Sequence, residues 1–272
     1  MRSLTQKQKA VVDLIDLGLR PQAMKLRRLL MTENMQRTTE IEGANLNSSS
    51  ITDTFMSLKR NIENRDRYET FNRIPSVKCG FSFAIDFSGS MDSGRPTTWE
   101  KVISAAYTVG KMTESMGVIS NCSLVGVDSY SAGDASGATD SHVAQACMLK
   151  DSKEKWTDEI FMEAWKYQPH TGTYVSQYIQ VALDMVKKIN AQKRVAFFLT
   201  DGEDNGVYPY LQSFVDLAKA QGIHLVGIVF ADSYYTEERY LKAIPKNIIC
   251  VRDPKTLGQK MITVLEGLFP RR

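Results

Sequence analysis

Asp86, Ser88 and Ser90 stand at alternate positions in the run Phe81-Ser82-Phe83-Ala84-Ile85-Asp86-Phe87-Ser88-Gly89-Ser90-Met91. On a loop folded back on itself, that spacing aims one carboxylate and two hydroxyls at a single point. Hard oxygen donors of this kind suit an octahedral cation such as Mg²⁺, or Mn²⁺, that keeps some of its waters. The same residues also describe a serine-rich turn after a strand, with Asp86 as a local cap. The metal reading therefore needs partners elsewhere in the chain, and two loops offer them. His170-Thr171-Gly172-Thr173 can present the Thr173 hydroxyl, and Thr200-Asp201-Gly202 supplies a second carboxylate. Two carboxylates and three hydroxyls hold a divalent cation without neutralising it and leave a coordination position for a carboxylate from another protein. Glu203 and Asp204, just beyond, either tune the field, receive a basic partner or are solvated loop acids. His170 is an acid–base candidate or a positioning residue; His142 and His224 have no constellation around them.

These loops must be positioned by strands and helices. Phe81, Phe83 and Ile85 are bulky β-formers and Ala84 suits a crowded second layer, so Cys79–Asp86 is expected to be a buried strand that Ser88-Gly89-Ser90 breaks. Thr97 and Glu100 spell a capping box, opening a helix with Val102, Ile103, Ala106, Val109, Met112 and Met116 on one face. Residues 122–127 and 146–149 read as strands, 158–167 and 175–189 as helices. Val195-Ala196-Phe197-Phe198-Leu199 is a continuous apolar run, the mark of a strand covered on both faces. A helix marked by Leu211, Phe214 and Ala218 and ended by Gly222, a strand over 224–230, a helix over 236–243, a short strand over 247–251 and a helix striped by Leu257, Met261, Leu265 and Leu268 complete the alternation. Such alternation predicts a Rossmann-like α/β fold, a mostly parallel central sheet with helices on both faces. Ligands of such sheets sit at carboxyl strand ends where the strand order reverses. Asp86 and Asp201 both fall at ends of that kind.

Upstream, residues 1–42 read as helical and basic, with Pro21 dividing two segments. Lys7, Lys9, Arg20, Lys25, Arg27 and Arg28 outnumber Asp13, Asp16 and Glu33. This is either a solvated face or a contact for RNA or an acidic partner. Residues 42–50 read as a turn-rich joint, 51–61 as a short helix and 68–72 as an extended segment. The expected division is a helical N-terminal region and joint over 1–77 and a metal-site domain over 78–272. A net charge of +3 on 272 residues is too small to demand nucleic acid. The content, 43% hydrophobic and 24% charged, is that of a soluble globular protein with a real core. No apolar run approaches the ~18 residues of a membrane span, and Met1–Lys7 leads into a polar segment rather than a signal-peptide core. Four widely spaced cysteines, Cys79, Cys122, Cys147 and Cys250, without a Cys-x-x-Cys argue against structural zinc and for buried free thiols in a reducing cytoplasm.

Catalytic motifs are missing. Ser90 does not sit in a Gly-x-Ser-x-Gly elbow, there is no phosphate loop ending in Gly-Lys-Ser/Thr, and no Gly-x-Gly-x-x-Gly follows the first strand. Attack through Asp86 in the phosphatase manner calls for a second acid two residues on, where Ser88 stands.

The three-part pattern Asp86/Ser88/Ser90, Thr173 and Asp201, with its Ser-Gly-Ser-Met and Thr-Asp-Gly wording, resembles the metal-ion-dependent adhesion site (MIDAS) of von Willebrand factor A (vWA) domains. The resemblance covers about residues 78–270 and implies a vWA fold with a cation bound by those five residues. Further upstream, Gly43-Ala44-Asn45-Leu46-Asn47 and Tyr68-Glu69-Thr70-Phe71 are similar to the C-terminal region of the CobT-type cobaltochelatase subunit, including short phage-encoded versions. Gly43 and Leu46 are one residue further apart than in that family, and Asn47 replaces its Asp. This resemblance implies a MoxR- or CobS-like AAA+ ATPase partner and a client offering an acidic residue to the metal. The chain would itself be non-catalytic, an adaptor or a subunit of an ATP-dependent chelatase. Nucleic-acid binding through the basic helices is the alternative, and no membrane association is expected.

Overall fold

The computed structural model describes residues 4–30, 33–40, 45–46, 68–75, 79–130, 141–172, 174–202, 208–231 and 233–269. Two compact units emerge: residues 1–30 together with 78–272, and residues 31–77.

Helix α1 (Gln6–Leu19) opens on a capping box. The Thr5 hydroxyl accepts from Gln8 N at 3.3 Å, and the Gln8 side-chain oxygen accepts from Thr5 N at 2.9 Å. Pro21 lies in a single 3-10 turn, Arg20–Gln22, where its missing N–H leaves no bond unmade, and α2 (Ala23–Leu30) follows. The helix expected to continue to residue 42 does not. Glu33–Glu40 is strand β1, which with β2 (Asn45–Leu46) and β3 (Tyr68–Pro75) makes a three-stranded antiparallel sheet in the order β1-β3-β2. Residues 33–40 have no apolar residue at helical spacing, and β-branched Thr38 and Thr39 suit a ladder in which Arg37 and Thr38 oppose Phe71 and Thr70. The extended segment expected at 68–72 is β3. The short helix expected at 51–61 lies outside the described residues.

The larger unit is built on a six-stranded sheet. Its elements in chain order are β4 (Cys79–Asp86), α3 (Thr98–Glu114), β5 (Ile119–Tyr130), β6 (Ser141–Lys150), α4 (Asp158–Trp165), α5 (Val175–Lys187), β7 (Lys193–Thr200), α6 (Leu211–Ala220), β8 (Ile223–Val229), α7 (Tyr234–Ala243), β9 (Ile248–Cys250) and α8 (Leu257–Leu268). The strand order is β6-β5-β4-β7-β8-β9, parallel throughout except for the β5–β6 edge pair. From β4 the chain winds to one edge and then returns to β7 on β4's other side, so the order reverses between β4 and β7. The Rossmann-like α/β expectation is met, and so is the capping box at Thr97 and Glu100.

Every residue of β4 is buried. One face carries Phe81 and Phe83, whose rings lie 5.2 Å from Phe197 of β7, edge-on and stacked respectively. The other face carries Ser82 and Ala84. Small side chains there let α5 approach, with Ser82 Oγ donating to Ala182 O at 2.7 Å and Val175, Tyr178, Ile179 and Ala182 packed in one buried cluster with Ala84. The strand that bears Asp86 is thus clamped from both faces.

The expected division placed residues 1–77 apart. In the structure α1 and α2 belong with the sheet. A Cβ on Gly18 would come 2.0 Å from Lys255 O, and one on Gly258 would come 2.2 Å from Gly18 O, so α1 and the start of α8 cross backbone to backbone. Val11, Ile15, Leu19, Leu26 and Leu30 are buried as a result. The stripe that reads as one face of an N-terminal helical region is a core face.

Candidate metal centre

Three loops meet at the carboxyl ends of β4 and β7. Asp86 closes β4, fully buried, and both carboxylate oxygens are held. Oδ1 accepts from Ser88 N at 2.8 Å and Oδ2 from the Thr200 hydroxyl at 2.7 Å. The chain then turns through a short 3-10 segment, Gly89–Asp92, so Ser88 and Ser90 come round to the same side with hydroxyls 3.1 Å apart. The 168–172 loop is laced to this turn. His170 N and Thr171 N both donate to Phe87 O at 3.2 Å, and Gly89 N donates to Thr171 O at 3.0 Å. The Thr171 hydroxyl adds a bond to Phe87 O at 3.0 Å. This lacing brings the start of α5 to the turn.

Asp201, the residue after β7, is buried, and its charge acts on Asp86. Burial first, and the Asp201 anion second, push the Asp86 carboxyl up to about 7, against the bonds from Ser88 and Thr200. Gly202 follows at φ +90°, a conformation open to glycine, and its N–H donates to the Thr200 hydroxyl at 3.1 Å. Thr200 therefore holds Asp86 on one side and the 201–202 turn on the other.

Of the five residues expected to hold a cation, Asp86, Ser88, Ser90 and Asp201 are brought together at the carboxyl ends of β4 and β7. Thr173 lies outside the described residues, as do Glu203 and Asp204. His170 stands edge-on against Phe87 at 5.2 Å, with Nδ1 2.9 Å from Gln168 O, which is a positioning contact. His224 is remote, packed edge-on against Phe269. Sequence reasoning missed Tyr178. Fully buried on α5, it donates to Gly172 O at 3.2 Å, accepts from Tyr174 N at 3.3 Å and faces Asp86; burial and that carboxylate push its hydroxyl well above the ordinary tyrosine range. Its signal was a hydroxyl-tipped aromatic on the apolar face of the helix that follows the ligand loop.

The donor set fits a small hard cation. Neighbouring ligands of an octahedral ion at about 2.0–2.1 Å stand about 3 Å apart, and the two serine hydroxyls are at that separation. Two buried carboxylates raise each other's energy, and a cation between them relieves it. Each Asp86 oxygen keeps a lone pair beyond the bond it accepts. Among the described residues no cluster of three or more His, Cys, Asp or Glu is present.

Fold and site together define a class: a mostly parallel α/β sheet protein with carboxylate and hydroxyl oxygens gathered at its topological switch point. No protein-family model matches the sequence, and no curated protein matches it. Similar solved structures include the pilus adhesin SpaC from Lactobacillus rhamnosus GG, at 15% identity over 72% of this chain and 32% of that one, TM-score 0.46. This chain thus spans about a third of that adhesin. Another is the SpRpn10 VWA domain, at 13% over 68% and 94%, TM-score 0.47. A third is proximal thread matrix protein 1 from the mussel byssus with a zinc-occupied MIDAS motif, at 14% over 71% and 46%, TM-score 0.48. Likenesses this distant assign no activity to this chain.

Proposed function

We propose that this chain is a divalent-cation-dependent protein-interaction module of the vWA kind, with Mg²⁺ or Mn²⁺ held by Ser88, Ser90, Asp201, Asp86 and Thr173. The bound cation supplies a fixed positive charge for a carboxylate of a partner protein. The chain's own part is to hold the donors: β4 and β7 fix the two aspartates, Ser88 N and Thr200 orient Asp86, Tyr178 ties Gly172 to α5, and the Phe87–Thr171 lacing sets the serine turn. One observation carries the reading, the two serine hydroxyls at 3.1 Å beside two buried carboxylates at the β4–β7 reversal. Following the CobT resemblance, we assign the partners as a MoxR- or CobS-like AAA+ ATPase and a client with an exposed acid. Two of the basic residues behind the nucleic-acid alternative are already paired within the chain, Lys7 with Glu100 and Arg20 with Asp16.

Calorimetric titration of the purified protein with Mg²⁺ and Mn²⁺ tests the metal. One site is expected, lost in Asp201→Ala with the fold intact, because a single ligand leaves a site at the sheet's rim. Binding of equal strength in that variant refutes the assignment. Capture of a purified MoxR-type ATPase with and without EDTA tests the partner, and equal capture in both refutes metal-dependent docking.

A further inference from the structure

Three tyrosines stand far out of the surface near the candidate metal centre: Tyr210, Tyr234 and Tyr235, at 63%, 71% and 66% exposure. Tyr234 and Tyr235 form the first turn of α7, capped by Ser233, whose hydroxyl accepts from Thr236 N at 3.1 Å. That turn is packed against the glycine that follows Asp201, since a Cβ on Gly202 would come 2.4 Å from Thr236 Cγ2. Tyr210 ends the 3-10 turn Tyr208–Tyr210, an element in contact with α7. Each α7 tyrosine carries a guanidinium over its ring, Arg252 at 5.0 Å from Tyr234 and Arg239 at 5.4 Å from Tyr235.

Tyrosine offers a large amphipathic surface with only two side-chain torsions to freeze, and with arginine it dominates the centres of protein interfaces. A guanidinium over one face of a ring adds positive charge beside it and leaves only the other face for stacking. We infer that Tyr210, Tyr234 and Tyr235 form a stacking shelf for an acidic peptide segment, whose carboxylate reaches the neighbouring cation while its flanking apolar or proline residues lie on the rings. This rests on the metal-dependent docking proposed above and adds the second half of the contact. Charge decides between candidate occupants. Single-stranded nucleic acid also stacks on tyrosine, but it draws its affinity from cations along its backbone, and here Arg252 is already paired with Glu237 at 2.8 Å and Glu238 follows on the same helix; a peptide brings one carboxylate to the cation and neutral flanks to the shelf.

The test is selection of 12-residue peptides from a random library on the full chain in Mg²⁺, with fluorescent dT12 as the nucleic-acid probe. Enriched peptides are expected to carry Asp or Glu beside aromatic, aliphatic or proline residues. Their affinity should fall at least tenfold in Tyr234→Ser/Tyr235→Ser and in Tyr210→Ser, while Mn²⁺ binding and thermal midpoint stay unchanged. Affinity lost in EDTA yet unaltered by the tyrosine changes overturns the shelf and leaves the metal reading standing. Affinity that depends on the tyrosines but survives EDTA overturns metal-linked docking. Failure to enrich any peptide, or dT12 binding in place of peptides, overturns the inference.

Discussion

At the scale of single residues, the centre is a place where the metal-free fold works against itself. Asp86 is buried and faces a second buried acid, and its two bonds only partly offset this. A carboxyl raised from 3.8 to about 7 is protonated in the fold at pH values where the unfolded chain has already ionised it. Well below pH 4 both states hold the proton and its ionisation contributes nothing. As pH climbs from about 4 to about 7 the unfolded state gains and the fold loses, by an upper limit of roughly 4 kcal/mol at about 1.4 kcal/mol per unit. Asp86→Asn keeps the size and removes the ionisation. In EDTA the variant should be more stable than the natural chain above pH 7 and little different near pH 4, with the gap opening between. Adding Mg²⁺ should raise the natural chain's melting temperature and leave the variant's nearly unmoved. Urea midpoints across pH, with and without Mg²⁺, check both halves; a gap that shrinks with rising pH contradicts the argument.

At the scale of elements, two glycines on one helix make opposite demands. Gly258 is pressed against Gly18 where α1 crosses α8, whereas a Cβ on Gly267, a little over two turns on, would meet nothing within 4 Å. Gly258→Ala should therefore destabilise by about 1–3 kcal/mol through forced separation of the backbones. Gly267→Ala should stabilise by about 0.5–1 kcal/mol through helix propensity. Thermal melts of the pair isolate the crossing from the common chemical change, and equal shifts of either sign would remove it. This crossing also shows where the sequence stops being legible. The strands of the sheet were readable because each is a local apolar run with turn chemistry at its end, and Asp86 and Asp201 were readable because strand ends are where such sheets bind ligands. A glycine at a helix crossing carries no pattern, since its meaning lies in a backbone some 240 residues away in the chain. Strand β1 was hidden for a related reason: Glu33–Glu40 is polar, and its pairing with Tyr68–Pro75 is a distant contact that no local period announces. Tyr178 was not picked out on α5, because only the fold turns its hydroxyl toward Asp86.

At the scale of the whole molecule, the sheet unit includes a segment that precedes it by nearly fifty residues. Helices α1 and α2 bury Val11, Ile15, Leu19, Leu26, Leu29 and Leu30, and Cys79 Sγ, at the first residue of β4, lies 3.1 Å from Leu30 O. Each large apolar side chain fully buried contributes about 1.5–3 kcal/mol, against a typical net stability of about 5–15 kcal/mol for a domain. The order lost by two short helices offsets part of that, at about 1–2 kcal/mol per residue for the backbone, but the surfaces of α3 and α8 that they cover would be left open to water. Deleting residues 1–30 should therefore lower the urea midpoint substantially and raise binding of a hydrophobic dye, even though every candidate metal ligand lies beyond residue 78. Metal affinity measured where the truncated chain is still folded should be close to that of the full chain, because the β4–β7 reversal is intact. If the truncated chain instead melts with the full chain, the two helices are an appendage and the sheet is self-sufficient. If it stays folded but loses the metal, α1 supports the serine turn through Lys7 and Glu100, the ion pair that ties α1 to α3.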